Sequence, residues 1–440
     1  MRMGLTYYYN LFLLATILVL PKIPLNASAP ALQQQGILVG ELILLGSLFV
    51  NMNFLFRKNV LHMPKALAIF FTFLFTYILL SSIVSGLQNN FIPVKAMAYF
   101  GRLCLYALLV ISFYQVYTFR QDTRFWWKLF KFSYLVHAAC VIAIFIFYNF
   151  KFNPHFGEMT WLVEVGHRVI PMVGTGFNPG GDLTFYAIGG GSGNLLGTWS
   201  VFVVIGATYL EKNAKYKAFI YLLCFFLVLM AQSRGSVLTL LIYYLYLFFS
   251  SKRLTWGLKC IAGIILLGSV AVIINLLLNK YADILPIFSR FSNAYSGGQL
   301  DGSSADRLAN YAIVFEKWVT NPLYILFGMG MDKDLLKHLT TWDIVESYYL
   351  SVLFCGGIIS LMLFVAFIFI VFRHYNQNIW NHILLVFLIT CSLVNWSVTG
   401  GDLLSVTGLY PIIGLCTLSY LSQKEINADA DITGREIFLS

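Results

Sequence analysis

Apolar runs of about twenty residues recur along the chain, and that is the length an α-helix needs to cross roughly 30 Å of hydrocarbon. About twelve runs meet this criterion, near residues 5–24, 36–56, 66–86, 96–117, 129–150, 193–210, 216–232, 235–250, 256–278, 344–372, 380–398 and 403–422. The expected fold class is therefore all-α, a polytopic transmembrane helix bundle. Composition agrees: 59% of residues are hydrophobic and 11% charged, against roughly 25% charged in soluble domains. Aromatic residues, at 17%, suit interfacial belts and helix packing in lipid.

Orientation follows from Lys and Arg in the short connections. One set holds Arg57, Lys58 and Lys65, then Arg120, Arg124, Lys128 and Lys131, then Lys212, Lys215 and Lys217, then Lys252, Arg253 and Lys259, and finally Arg373. The opposite set holds Lys22, Lys95 and Arg234. Both termini are accordingly assigned to the cytoplasm, and segments 151–192 and 279–343 face outward. The formal charge of +10 is scattered among these connections and forms no basic face, so nucleic acid is not an expected partner. The seven cysteines lie within apolar runs, which argues against a disulfide framework. The first run, with Arg2 before it and Ala27-Ser28-Ala29 after it, reads as an uncleaved span, a cleaved signal peptide being the alternative.

These boundaries divide the chain into residues 1–278, with nine spans and a glycine-rich outward segment at 151–192; the large outward segment 279–343; residues 344–422, with three more spans; and a polar tail, 423–440, read as cytoplasmic and mobile. The large segment is the long polar stretch of the sequence. Within it, Ser304-Ala305-Asp306-Arg307 reads as a helix start with Leu308, Tyr311, Phe315 and Trp318 on one face, and Asn321-Pro322 stops that helix. The glycine-rich segment runs through Gly174 to Gly181 and Gly189 to Gly191 to Gly193-Asn194. It is either a close-approach ligand loop or a flexible connection.

Arg234, in the turn Gln232-Ser233-Arg234-Gly235, has small neighbours that leave its guanidinium open for bidentate phosphate binding, the alternative being a snorkelling anchor. Arg168, Arg290 and Arg307 share the outward compartment, and together such arginines can neutralise a diphosphate leaving group. The alternative pairs them with Glu164, Asp301 or Asp306. Glu346, at the outer end of the tenth run, is a candidate general base, with His338 the second. Glu41 and Arg102 are charges inside apolar runs at similar depth and are expected to pair. His137 reads as a core histidine. No phosphate-loop lysine motif, H-E-x-x-H or metal-spaced carboxylate pair occurs, so no metal or cofactor is assigned.

Ser233-Arg234-Gly235 followed by Leu238, Asp306-Arg307 leading to Asn321-Pro322 and Gly328-Met329-Gly330, and Glu346-Ser347-Tyr348-Tyr349-Leu350 before Gly356-Gly357 together resemble the O-antigen polymerase and ligase superfamily. Gly193-Asn194-Leu195-Leu196-Gly197 looks like the small-residue, asparagine-containing start of the middle span in that group. The resemblance covers about residues 168–365. It implies a GT-C-like membrane glycosyltransferase of the bacterial inner membrane, acting on the periplasmic side without a nucleotide sugar. Its partners would be undecaprenyl diphosphate-linked glycan donor and acceptor, membrane lipid and a chain-length regulator protein. Carried over, Arg234 and Arg307 hold the donor diphosphate, Arg168 assists, and the 279–343 segment roofs the site. Ligases of the group show a His-Asn pair near the position of Glu346-Ser347, so this chain favours a polymerase over a ligase. A flippase or solute carrier is the rival of another class. It should show paired repeats, broken helices and charges at the bilayer midplane.

Overall fold

The computed structural model describes residues 4–18, 22–24, 36–52, 65–149, 164–165, 168–169, 175–177, 183–185, 193–230, 234–250, 255–258, 260–261, 263–264, 268, 302–342, 345, 347–394 and 406–438. The helices in order are α1 (Leu5–Thr16), α2 (Val39–Val50), α3 (Lys65–Gln88), α4 (Val94–Tyr117), α5 (Thr123–Asn149), α6 (Gly193–Leu210) and α7 (Ala214–Met230). They continue with α8 (Arg234–Ser250), α9 (Gly302–Val319), α10 (Pro322–Phe327), α11 (Lys333–Thr340), α12 (Tyr348–Tyr375), α13 (Ile379–Val394) and α14 (Val406–Phe438). Among the described residues, extended structure is confined to short antiparallel ladders pairing 22–24 with 36–38, 164–165 with 168–169, and 175–177 with 183–185.

Ala66–Gln88, Val94–Tyr117 and Tyr348–His374 are long and apolar enough to cross a membrane. Shorter apolar helices accompany them at Val39–Val50, Leu196–Leu210, Gly235–Ser250 and Ile379–Leu393. α3 packs along α12, α6 along α7, α4 along α1 and α14, and α13 touches α6, α8, α12 and α14. The centre is aromatic. Phe130 on α5 meets Trp380 on α13 at 6.1 Å and Tyr410 on α14 at 5.8 Å, and Phe113 on α4 meets Tyr410 at 5.3 Å between ring centroids.

Within the runs at 5–24 and 36–56 the described helices are Leu5–Thr16 and Val39–Val50, each 12 residues long, and much of the remainder of both runs lies outside the described residues. α1 and α2 are held together by reciprocal side-chain amide bonds between the buried Asn10 and Asn51, at 2.9 and 3.0 Å. The tail expected to be mobile is helical through Phe438. Gly434 is its only glycine, it has no proline after Pro411, and Gln423 bonds Asn427 one turn on at 3.1 Å. Finally, α9 begins at Gly302, so Ser304 lies inside it instead of capping it. Of the run at 256–278, only parts up to and including Gly268 fall within the described residues.

On the side assigned to the cytoplasm, Glu211 accepts from Lys131 Nζ at 2.9 Å and from Trp127 Nε1 at 3.2 Å. Burial alone would push the Glu211 carboxyl up, but the bonds from Lys131 and Trp127 outweigh it and hold the pKa below the ordinary value. A carboxylate with a depressed folded-state pKa stabilises above its unfolded pKa of about 4.3, and that contribution is lost as pH falls through the folded value. The unfolding midpoint of the purified protein should therefore drop on acidification below about pH 4. Lys131→Met should flatten that drop, whereas equal acid sensitivity in both proteins would remove Glu211 as its source.

Candidate functional site

The segment from Gly302 to Thr340 is built by explicit caps. Asn321 ends one helix and starts the next: its Oδ1 accepts from Leu323 N at 3.0 Å, with Pro322 in the first turn of α10, where no N–H is needed. Asp332, 1% exposed, caps α11 through Oδ1, which accepts from Asp334 N at 2.9 Å and Leu335 N at 3.2 Å. Its Oδ2 accepts from Ala96 N at 3.0 Å, at the start of α4. One carboxylate thus serves two positively polarised helix N-termini. Lys95 pairs with Asp334, and the His338 ring stacks on Phe91 at 5.8 Å. The segment is locked to the α3–α4 turn.

A second lock lies at a break in α12, where Gly357 adopts φ 73°, ψ −176°. A break leaves carbonyls in the preceding turn short of helical donors. Here Phe354 O accepts from Met329 N at 2.8 Å, and Cys355 O accepts from Gly330 N at 2.9 Å and from Ser81 Oγ at 2.8 Å. Ser82 Oγ accepts from Met331 N at 2.6 Å. Gly328-Met329-Gly330 is therefore a backbone plug seated between α3 and the break in α12. Sequence reasoning had these glycines only as motif residues and missed Asp332, Ser81 and Ser82. The Asp ahead of the apolar positions of α11 was the available signal.

Asp332→Ala removes a cap and leaves buried N–H groups without an acceptor, an expected loss of about 2–4 kcal/mol. Limited proteolysis in detergent should cut within 302–342 faster in this variant. A native cleavage rate would show that the Asp332 bridge is dispensable.

Arg307 lies on α9, partly exposed, at the helical spacing of Tyr311, Val314 and Trp318. Val314 and Trp318 are buried against Phe354 and Leu336 in one apolar cluster. That face differs from the predicted one, because Leu308 and Phe315 are 55% and 52% exposed on another side of the helix. The face Tyr311-Val314-Trp318 turns to α12, and Arg307 extends it. His338 is exposed on α11, which packs against α9.

Arg234 is the first residue of α8 and Asn194 the second of α6, and the side chains of both lie outside the described residues. Arg168 sits in a ladder with Val165 opposite it, its side chain likewise outside the description. Arg290 and Glu346 lie outside the described residues altogether, as does the side chain of His137. Glu41, 7% exposed, accepts from Tyr106 Oη at 2.6 Å and lies 3.8 Å from Arg102 Nε, the expected pair with a tyrosine added. Among the described residues, no group of three or more His, Cys, Asp or Glu side chains converges as a metal site would.

A family model described as O-antigen ligase matches residues 219–365. The match opens in α7, takes in Arg234, Arg307, Glu346 and the later-chain half of each lock, and closes just beyond the Gly357 break; the α3–α4 partners of both locks lie before it. No curated protein matches the chain. Residues 219–365, about a third of the chain, are thus similar to the O-antigen ligase family, which agrees with the resemblance to the O-antigen polymerase and ligase superfamily.

Proposed function

We propose that the protein is an O-antigen polymerase, a glycosyltransferase on the periplasmic face of the inner membrane that joins undecaprenyl diphosphate-linked repeat units. One observation carries the reading: the family match over 219–365 coincides with the ordered motifs around Arg234, Arg307 and Glu346; the resemblance further implies that Glu346-Ser347 stands where ligases of the group show His-Asn. The chemistry needs little else. An acceptor hydroxyl attacks the anomeric carbon of the donor, the bond from that carbon to the diphosphate oxygen breaks, and the base takes the hydroxyl proton. Arg234 and Arg307 neutralise the departing diphosphate, and the N-terminus of α8 at Arg234 adds a field of the same sign. Glu346 is the proposed base. Arg168, Arg290 and Asn194 are proposed substrate contacts, and a chain-length regulator is a proposed partner.

The matched family's own description favours ligase as the second reading. A carrier is less well supported. α12 is broken, as in carriers, but the carbonyls freed by the break are taken by the plug's N–H groups instead of facing a lumen.

The lipopolysaccharide banding of a strain deleted for this gene separates the readings. Core carrying one repeat unit, with the ladder gone, is the expected result. Core with no repeat unit would mean ligase or flippase, and an unchanged ladder would remove the superfamily function.

A further inference from the structure

α9 carries two apolar faces. One is buried. The other, Leu308, Ala312, Phe315 and Val319 at spacings of four, three and four, is open, and α10 continues it with Leu323, Leu326 and Phe327. Exposed apolar residues in such number on a short outward segment mark an interaction surface.

Its depth identifies the occupant. The end of α10 does not lie over the bundle: Tyr77 Oη donates to Leu326 O at 3.2 Å, and the Phe327 ring stacks on Tyr77 at 6.0 Å. Tyr77 is about 16 Å from the outward end of α3 at about 1.5 Å per residue. Measured from the other side, the plug bonds α12 at Phe354 and Cys355 and the end of α10 lies against Gly357, about 9 to 13 Å inside that helix. Both figures place the tip near the middle of a hydrocarbon layer roughly 30 Å thick. Phe315 and Trp318 flank Phe354, so the end of α9 shares part of that depth. The open face also runs into one already facing lipid: Phe73, 49% exposed on α3, lies 6.4 Å from Tyr77, which bridges it to Phe327.

We propose that α9–α10 is a re-entrant segment entering from the outward side, with Leu308, Phe315, Val319, Leu323, Leu326 and Phe327 against the acyl chains of the outer leaflet. Irregular backbone survives at such depth only where protein buries it. The plug meets that condition, since Met329 and Met331 are at most 1% exposed and their N–H groups are bonded. The segment is therefore part of the membrane domain, where the sequence suggested a roof above it. This inference is independent of the proposed reaction.

The test uses the intact protein in vesicles containing a phospholipid with a diazirine on its acyl chain. Photolysis and peptide mapping should give lipid adducts within 308–327 as well as around Phe73 and Leu80 of α3, the internal standard. Adducts on α3 with none on 308–327 would overturn the proposal, as would cross-linking of that stretch to a second copy or another protein. A second measurement replaces the native cysteines by serine and introduces Leu323→Cys, Leu326→Cys or, as the exposed control, Lys337→Cys. A membrane-impermeant maleimide should label the control and fail on the other two until detergent and denaturant are added. Labelling of all three at one rate would also overturn it.

Discussion

Gly357→Val is expected to leave little folded protein in the membrane. Gly357 sits at φ 73°, ψ −176° and Gly328 at φ 82°, ψ 173°, a region that only glycine occupies without strain. A Cβ on Gly357 would fall 2.1 Å from Leu326 O, and one on Gly328 would fall 2.2 Å from Cys355 O. Both clashes are with backbone, so no rotamer change relieves them. Strain of about 1–3 kcal/mol and overpacking of about 1–3 kcal/mol act together, against a total stability of about 5–15 kcal/mol for a typical domain. Gly328→Val should behave in the same way, because the two glycines hold opposite sides of one contact. Gly101→Ala on α4 is the control, since nothing lies within 4 Å of its added Cβ, and alanine in a helix gains about 1 kcal/mol over glycine. Membrane-fraction abundance and the unfolding midpoint in detergent decide the matter. Native values for Gly357→Val would mean that the plug is not fixed by this contact.

The same contact shows where sequence and structure part. Helix positions were legible because a run of apolar residues is read locally: 66–86, 96–117, 193–210 and 235–250 lie within one or two residues of α3, α4, α6 and α8. The exposed side of α9 was not, because Leu308 and Phe315 have the spacing of a buried face and only a membrane, absent from the sequence pattern, distinguishes them. Nor was the plug, whose bonds join Ser81 and Ser82 to residues some 250 positions later. Asn321-Pro322 was legible as a stop, since a cap and a proline act on their own neighbours, and it proved a start as well. For the site, residue type and order gave Arg234, Arg307 and Glu346 as candidates. Their mutual distances depend on segments between spans, where no periodicity constrains the chain.

Arg234→Ala and Arg307→Ala are each expected to abolish the polysaccharide ladder while the protein still reaches the membrane. Removing one preorganised partner of a developing negative charge typically costs about 10²–10³ in rate, enough to empty the upper part of a gel. Arg→Lys at either position keeps the charge but not the planar fork, so polymer should fall between the two extremes. Immunoblots of the membrane fraction exclude loss of protein, which is the main risk at Arg307, whose helix face packs on α12. A full ladder from both alanine variants would remove the diphosphate role. Glu346→Gln addresses proton transfer alone, and a positioned base contributes about 10²–10⁴. With the arginines intact, this variant should still bind donor and stop before transfer. Near-normal polymer from it would hand the base role to His338, which is exposed beside Phe91. Arg234 and Arg307 would keep their assignment in that case, because holding the diphosphate and accepting the acceptor's proton are separate tasks.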